Sequence, residues 1–181
     1  MELGHMMDEI QEINLRYMLL AQRMLREDKA YAEKAKRVSA LARDVSELMT
    51  ELGLAPRTGS ADGRVAYHAA CSLQHGQQLH SEPQALLAQA GFTVLEVPEG
   101  HLCCGSAGTY NMLQPELASR LQQRKVANIE STRPDIVAAG NIGCLEQIAH
   151  ACALPVVHTV ELLDWATGGP MPQKLHAERA S

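Results

Sequence analysis

No run of apolar residues in this chain approaches the roughly 18 needed to cross a membrane as a helix. The N-terminus also lacks the basic-then-apolar order of a secretory signal. These two absences make a cytoplasmic protein the expectation, with at most peripheral association with the inner face of the cell membrane. Positive charge is short as well: 16 Lys and Arg stand against 21 Asp and Glu, a formal net charge of −5. The basic residues are scattered, so no phosphate-tracking stripe exists and nucleic acid is not an expected partner. No Ser–His–Asp arrangement, phosphate loop or dinucleotide fingerprint occurs, and no pair of carboxylates invites acid–base chemistry. Gly105-Ser-Ala-Gly108 is too short and wrongly placed for a dinucleotide turn.

Cysteine is missing from the first seventy residues, and the five present are Cys71, Cys103, Cys104, Cys144 and Cys152. An odd count in a chain of 181 residues, long enough for its own core, points to metal ligation or redox chemistry rather than a disulfide framework. Cys103 and Cys104 are adjacent, which disfavours a bond between them.

The chain divides into a helical segment, 1–54, a turn-rich linker, 55–63, an α/β domain, 64–168, and a flexible tail, 169–181. In the first part Ile10, Ile13, Tyr17, Leu20 and Met24 step by three and four, as one stripe of a helix must. Val38, Leu41, Val45, Leu48 and Leu52 do the same. Glu27 and Lys34 interrupt the seam, so two helices meeting near Asp28 suit the pattern better than one coiled coil. The stripe is expected to pack on the neighbouring domain, with a homodimer through these helices as the alternative. Met1 to Met6 read as an added leader or a misplaced start.

Beyond the linker, strands and helices alternate. Strands are expected at Arg64–Ala70, Phe92–Val97, Asp135–Ala139 and Pro155–Val160. Helices are expected over 84–90, 114–129, 145–152 and 161–167, with Pro115 in the first turn of the longest. This predicts a small parallel sheet flanked by helices, a Rossmann-like α/β fold. In such a sheet ligands bind at the loops following the carboxyl ends of the strands. Three of those loops carry cysteine: Cys71 after the first strand, Cys103 and Cys104 after the second, Cys144 after the third. Four thiolates gathered at one sheet edge are the ligand set of an iron–sulfur cluster or of a structural zinc. Gly76, Gly105, Gly108, Gly140 and Gly143 surround them, leaving room and free amides for an inorganic core. Ordinary turn glycines would also account for any one of these.

The run Tyr67-His68-Ala-Ala-Cys71-Ser-Leu-Gln-His75-Gly-Gln, then Cys103-Cys104-Gly105-Ser-Ala-Gly108-Thr-Tyr110, then Gly140-Asn141-Ile-Gly143-Cys144, resembles the CCG cysteine-rich domain of heterodisulfide reductase and its relatives. Asn111-Met-Leu-Gln114-Pro115-Glu-Leu and Arg124-Lys125 resemble the glycolate oxidase iron–sulfur branch of that family. The resemblance covers about Lys29 to Gly168. It implies that Cys71, Cys103, Cys104 and Cys144 bind a [4Fe–4S]-type cluster, with zinc the alternative. It implies supporting roles around the metal for His68, His75, Gly105, Gly108, Asn141 and Gly143. It also implies electron transfer from a flavin-containing oxidase subunit of the same complex toward quinone, so that the domain is an oxidoreductase component and not catalytic alone. The competing reading is a remnant, zinc-binding or metal-free, without redox activity.

Two departures stand out. The family pattern closes with Cys-x-x-Cys, and here Asn141 occupies the first place, so one cubane on four thiolates is the simpler expectation. Family members also carry two such domains behind a ferredoxin-like module, whereas this sequence has one, and it reads as a fragment. Separately, the stretch from Glu9 to about Ala32 resembles the first helix of the flagellar transcriptional activator FlhD, as in a chimera. Cys152 is expected to be a buried structural thiol.

Overall fold

The computed structural model describes residues 24–58, 61–77, 79 and 81–176. Most of the first helical stripe, residues Met1 to Met6, His80 and the end of the tail lie outside the described residues. The chain forms two compact units, Met1–Gly53 and Leu54–Ser181.

In the first unit the described helices are α1 (Ala32–Leu41) and α2 (Val45–Leu52). Residues 26–31 are not helical. A second break falls at residues 42–44, where the apolar pattern runs on without interruption. Asp44 causes it. Its side chain accepts from the Ser46 amide at 2.8 Å while Glu47 reaches back to the Asp44 amide at 2.8 Å. This reciprocal capping box starts a new helix inside the continuous stripe. Val38, Leu41, Leu48 and Leu52 are all exposed.

The second unit is the expected α/β domain, built on a four-stranded sheet. Its strands are β1 (Arg64–His68), β2 (Thr93–Leu95), β3 (Ile136–Ala139) and β4 (Val156–His158). They run in the order β2-β1-β3-β4, all parallel. A π-helical turn (Ser72–Gln77) and α3 (Glu82–Gln89) connect β1 to β2. A long loop, α4 (Tyr110–Leu113) and α5 (Pro115–Ser131) connect β2 to β3. Helix α6 (Ile142–Ala149) follows β3, and α7 (Thr159–Ala166) follows β4. Helix α8 (Gln173–His176) is a single turn that buries Leu175, within the stretch the sequence assigned to the tail.

The strands are shorter than their apolar runs: those of β1 and β2 continue into the loops that carry cysteine, and that of β4 into α7. Every residue of β3 and β4 is buried, as strands covered on both faces must be. The core under the sheet edge joins Ala66, Val137, Ile129, Ile148 and Val156 to Cys104 and Cys144. On the other side of the domain Phe92 meets Trp165 with ring centroids 6.1 Å apart.

The chain winds outward from β1 to β2 and, in the opposite sense, from β3 to β4. The order of the sheet therefore reverses between β1 and β3, where crossovers leave in opposite directions and open a crevice at the carboxyl ends. Register pairs His68 with Ala139 at that end.

Candidate metal centre

The segments leaving β1 and β3 at this reversal carry Cys71 and Cys144, and the loop after β2 brings Cys103 and Cys104 between them. The thiols adjoin one another in a row, each shifting the acidity of its neighbour: Cys103 that of Cys71, Cys104 that of Cys103, and Cys144 that of Cys104. The four cysteines singled out in the sequence are thus brought together, and all are free thiols. Cys104 and Cys144 are buried, whereas Cys71 and Cys103 are half-buried, so the row runs from the interior toward solvent.

Crowding makes three of these thiols weaker acids. Burial, then the neighbouring Cys103, pushes the pKa of Cys71 up. The hydrogen bond with Cys104 followed by burial pushes Cys103 up strongly. At Cys104 the bond from Cys103 favours the thiolate, but the bond to Cys144 and burial outweigh it and push the group up to about 12. Thiols held protonated at neutral pH must lose those protons to solvent as a metal binds, which couples loading to pH.

Local conformation explains how such a row forms. Gly105 has φ +97°, and a Cβ there would lie 2.4 Å from the Ala118 carbonyl oxygen, so only glycine lets the chain turn back beneath α5. Its amide donates to Cys103 Sγ at 3.3 Å, the kind of bond that stabilises a coordinated sulfur. Gly143 sits against Ser106, where a Cβ would approach the hydroxyl to 2.8 Å; the Cys103–Ser106 loop and the start of α6 are thereby held in contact. Gly108, at φ +67°, takes the left-handed conformation in open space.

Asn141 has a role that its place in the motif did not reveal. It is the N-cap of α6, and its side-chain oxygen accepts from the Cys144 amide at 3.1 Å. Cys144 is thereby fixed in the first turn of that helix, at the end whose dipole favours negative charge. His75 lies exposed on the π-helical turn. Cys152 packs at the edge of the apolar core, its thiol raised by burial, and no other cysteine contributes to that shift.

Two further groups border the row. His68 ends β1 and is 2% exposed, with no hydrogen-bond partner on either ring nitrogen. An unmet buried polar atom costs about 1–3 kcal/mol. Burial, assisted by the charge of Lys125, lowers its pKa to about 3, so the imidazole is neutral. A ring nitrogen of His68 and the sulfurs of Cys104 and Cys144 all lie within 4.8 Å of one another.

Lys125, on α5, was quoted in the sequence only as part of a resemblance. It is 1% exposed, and its ammonium donates to the carbonyl oxygens of Glu99 at 3.1 Å and Gly100 at 3.4 Å. Burial lowers its pKa, and the adjacent thiols of Cys104 and Cys71 oppose that change. Glu99 is held in turn by Arg124 and by Asn128, the latter at 2.8 Å. A buried cation is therefore fixed beside the thiols by the loop that precedes them. Nothing in the spacing of the sequence signals it, because lysine on a helix is ordinarily solvated.

A half-open row of thiols with amide donors, a buried imidazole and a buried cation, at the switch point of a parallel sheet, defines a cysteine-rich metal-binding α/β domain. Residues 65–149 match the family model of the CCG cysteine-rich domain. The chain is 42% identical over 143 residues to the glycolate oxidase iron–sulfur subunit of Escherichia coli, covering 79% of this chain and 35% of that protein. It is 29% identical over 131 residues to the probable glycolate oxidase iron–sulfur subunit of Bacillus subtilis, covering 69% of this chain and 29% of that protein. To lactate utilization protein A of Oceanobacillus iheyensis it is 28% identical over 123 residues, 65% of this chain and 50% of that protein. The chain thus spans half or less of the length of each of these relatives.

Residues 1–58 match a different family model, the flagellar transcriptional activator FlhD. This match runs past Ala32, where the sequence resemblance was expected to stop. Together with the 143 residues aligned to the Escherichia coli protein it exceeds the chain length, so the two overlap before residue 58.

Proposed function

We propose that Cys71, Cys103, Cys104 and Cys144 hold a [4Fe–4S] cluster and that the domain relays electrons within a glycolate oxidase-type complex. The observation that carries this reading is the convergence of four thiols from three separate loops at the switch point of the sheet. The donor set fits such a group: sulfur ligands, a Gly105 amide aimed at one of them, and a cation that offsets accumulated thiolate charge. When bound, the cluster would supply one-electron redox chemistry. The protein's own contribution is to position the four sulfurs, shield two of them from water and leave the Cys71–Cys103 side open. Electrons would enter or leave on that side, the part of the centre nearest to a docking subunit.

The names of two of the relatives support glycolate as the substrate of the complex; a flavin-containing subunit as donor and quinone as acceptor are part of the proposal and rest on the family resemblance alone. No helix among the described residues is long and apolar enough to cross a membrane. Delivery to quinone would then require peripheral contact with the inner face of the cell membrane. Protein purified or reconstituted without oxygen is expected to carry iron and acid-labile sulfide in equal, near-cluster amounts. Zinc alone would replace this reading with the structural one.

The exposed Val38, Leu41, Leu48 and Leu52 favour one addition, a homodimer through α1 and α2. Sedimentation equilibrium should return twice the chain mass; a monomer over the micromolar range would exclude that interface.

A further inference from the structure

We propose that His68 is itself a metal ligand, making the centre a mixed imidazole and thiolate site in which His68 joins Cys104 and Cys144. This rests on the reading above only in placing metal at these thiols; because four thiolates leave a [4Fe–4S] cluster no further ligand position, His68 would bind a single ion together with Cys104 and Cys144, or a cluster iron in place of one of the four cysteines.

The argument begins with burial. An imidazole at the end of a central strand, with both nitrogens unpartnered, needs something to bond to. Water is poorly placed to serve, since the ring is 2% exposed and packed at the end of β1 against β3. A role as a hydrogen-bond donor to a cysteine sulfur would show as a bond to Cys104 or Cys144, and His68 makes none.

Geometry points the same way. In a tetrahedral site, metal–sulfur bonds of about 2.3 Å and metal–nitrogen bonds of about 2.0 Å place the donors roughly 3.5–3.8 Å apart. The three donor atoms here lie within 4.8 Å of one another, so a contraction of about 1 Å closes the set around an ion. The residues come from two rigid supports, the last position of β1 for His68 and the first turn of α6 for Cys144, with Cys104 buried between. Among the described residues no other group of three such side chains is so arranged. The position usually filled by a further cysteine in this motif holds Asn141, whose oxygen is engaged by the Cys144 amide. The imidazole at the end of the adjacent strand supplies a donor instead.

The test uses cobalt(II) alone, added without oxygen to the metal-free full chain, because its ligand-field bands report nitrogen and sulfur donors directly. Three proteins are compared: wild type, His68→Ala and His68→Cys. The expected wild-type spectrum is that of mixed nitrogen and sulfur coordination, with X-ray absorption at the cobalt edge showing one nitrogen. His68→Ala should lose at least tenfold in affinity and show a different band pattern. His68→Cys should recover affinity with the bands of an all-thiolate site, and that recovery separates ligation from a folding defect. Identical bands in wild type and His68→Ala, an absence of nitrogen at the cobalt edge, or no tight cobalt binding by wild type would each overturn the proposal. Iron and sulfide uptake is measured in parallel on the same proteins. Uptake without a histidine ligand sinks this inference alone, and a histidine–cobalt bond without iron–sulfur uptake sinks the cluster reading alone.

Discussion

Cys104→Ser is expected to reduce bound iron at least tenfold, the largest effect of any single substitution in the domain. Cys104 stands in the middle of the row, beside both Cys103 and Cys144, and its sulfur is one of the three donor atoms, with those of His68 and Cys144, that lie within 4.8 Å of one another. A hydroxyl at the same place is a harder, far less acidic donor that does not replace thiolate toward iron or zinc. The residue is 1% exposed, so serine would also bury a hydroxyl in apolar surroundings at a cost of about 1–3 kcal/mol. That cost makes a control necessary. Cys152→Ser touches the same apolar core but stands apart from the four thiols, and it should leave the iron content unchanged. Iron and sulfide per folded chain, with circular dichroism to confirm folding, checks both variants. Full iron in Cys104→Ser, or equal losses in the two, would remove Cys104 from the ligand set.

Lys125→Met is expected to lower the reduction potential of the loaded centre by about 100 mV while leaving its metal content intact. Adding an electron makes the site more negative, and a fixed cation nearby stabilises that state. Two unit charges about 6 Å apart interact by roughly 2–3 kcal/mol at an effective dielectric near 20. For a one-electron couple this converts to about 100 mV. The interaction is not screened away as a surface pair would be, because the ammonium is buried and held by the Glu99 and Gly100 carbonyls. Methionine keeps the length and apolar character of the stem and removes the charge. A redox titration followed by EPR or visible absorption reads the midpoint. A fully loaded variant with an unchanged midpoint would show that Lys125 serves only to hold the Glu99–Gly100 loop.

Much of this was legible in the residues themselves. Pro134-Asp135 followed by Ile136, Val137, Ala138 and Ala139 marked a buried parallel strand, and that strand is β3. Pro115 marked the start of the long helix correctly to within one residue. The cysteines were placed on the loops after the strands from alternation alone, since parallel strands put successive carboxyl ends on one side of a sheet. Other features left no mark. The π-helical turn after Cys71 has no periodic signature, because a six-residue run is too short to show one. The break at residues 42–44 was hidden because Asp44 and Glu47 read as ordinary surface charges in a helical pattern. His68 and Asn141 were expected beside the metal only through the family resemblance, and neither the burial of the imidazole nor the capping bond to the Cys144 amide was visible.

Sequence by itself determined at which edge of the sheet the thiols gather, and which thiols those are, because strand direction and loop position follow from local periodicity. Tertiary structure alone decided what stands around those thiols. A buried imidazole without a partner, a buried ammonium behind the cysteines and a capping carboxamide at Cys144 come from His68, Lys125 and Asn141, on three different elements of the fold. The charge and hydrogen-bonding state of such groups depend on what excludes water from them. Exclusion of water is a property of packing in three dimensions rather than of spacing along one.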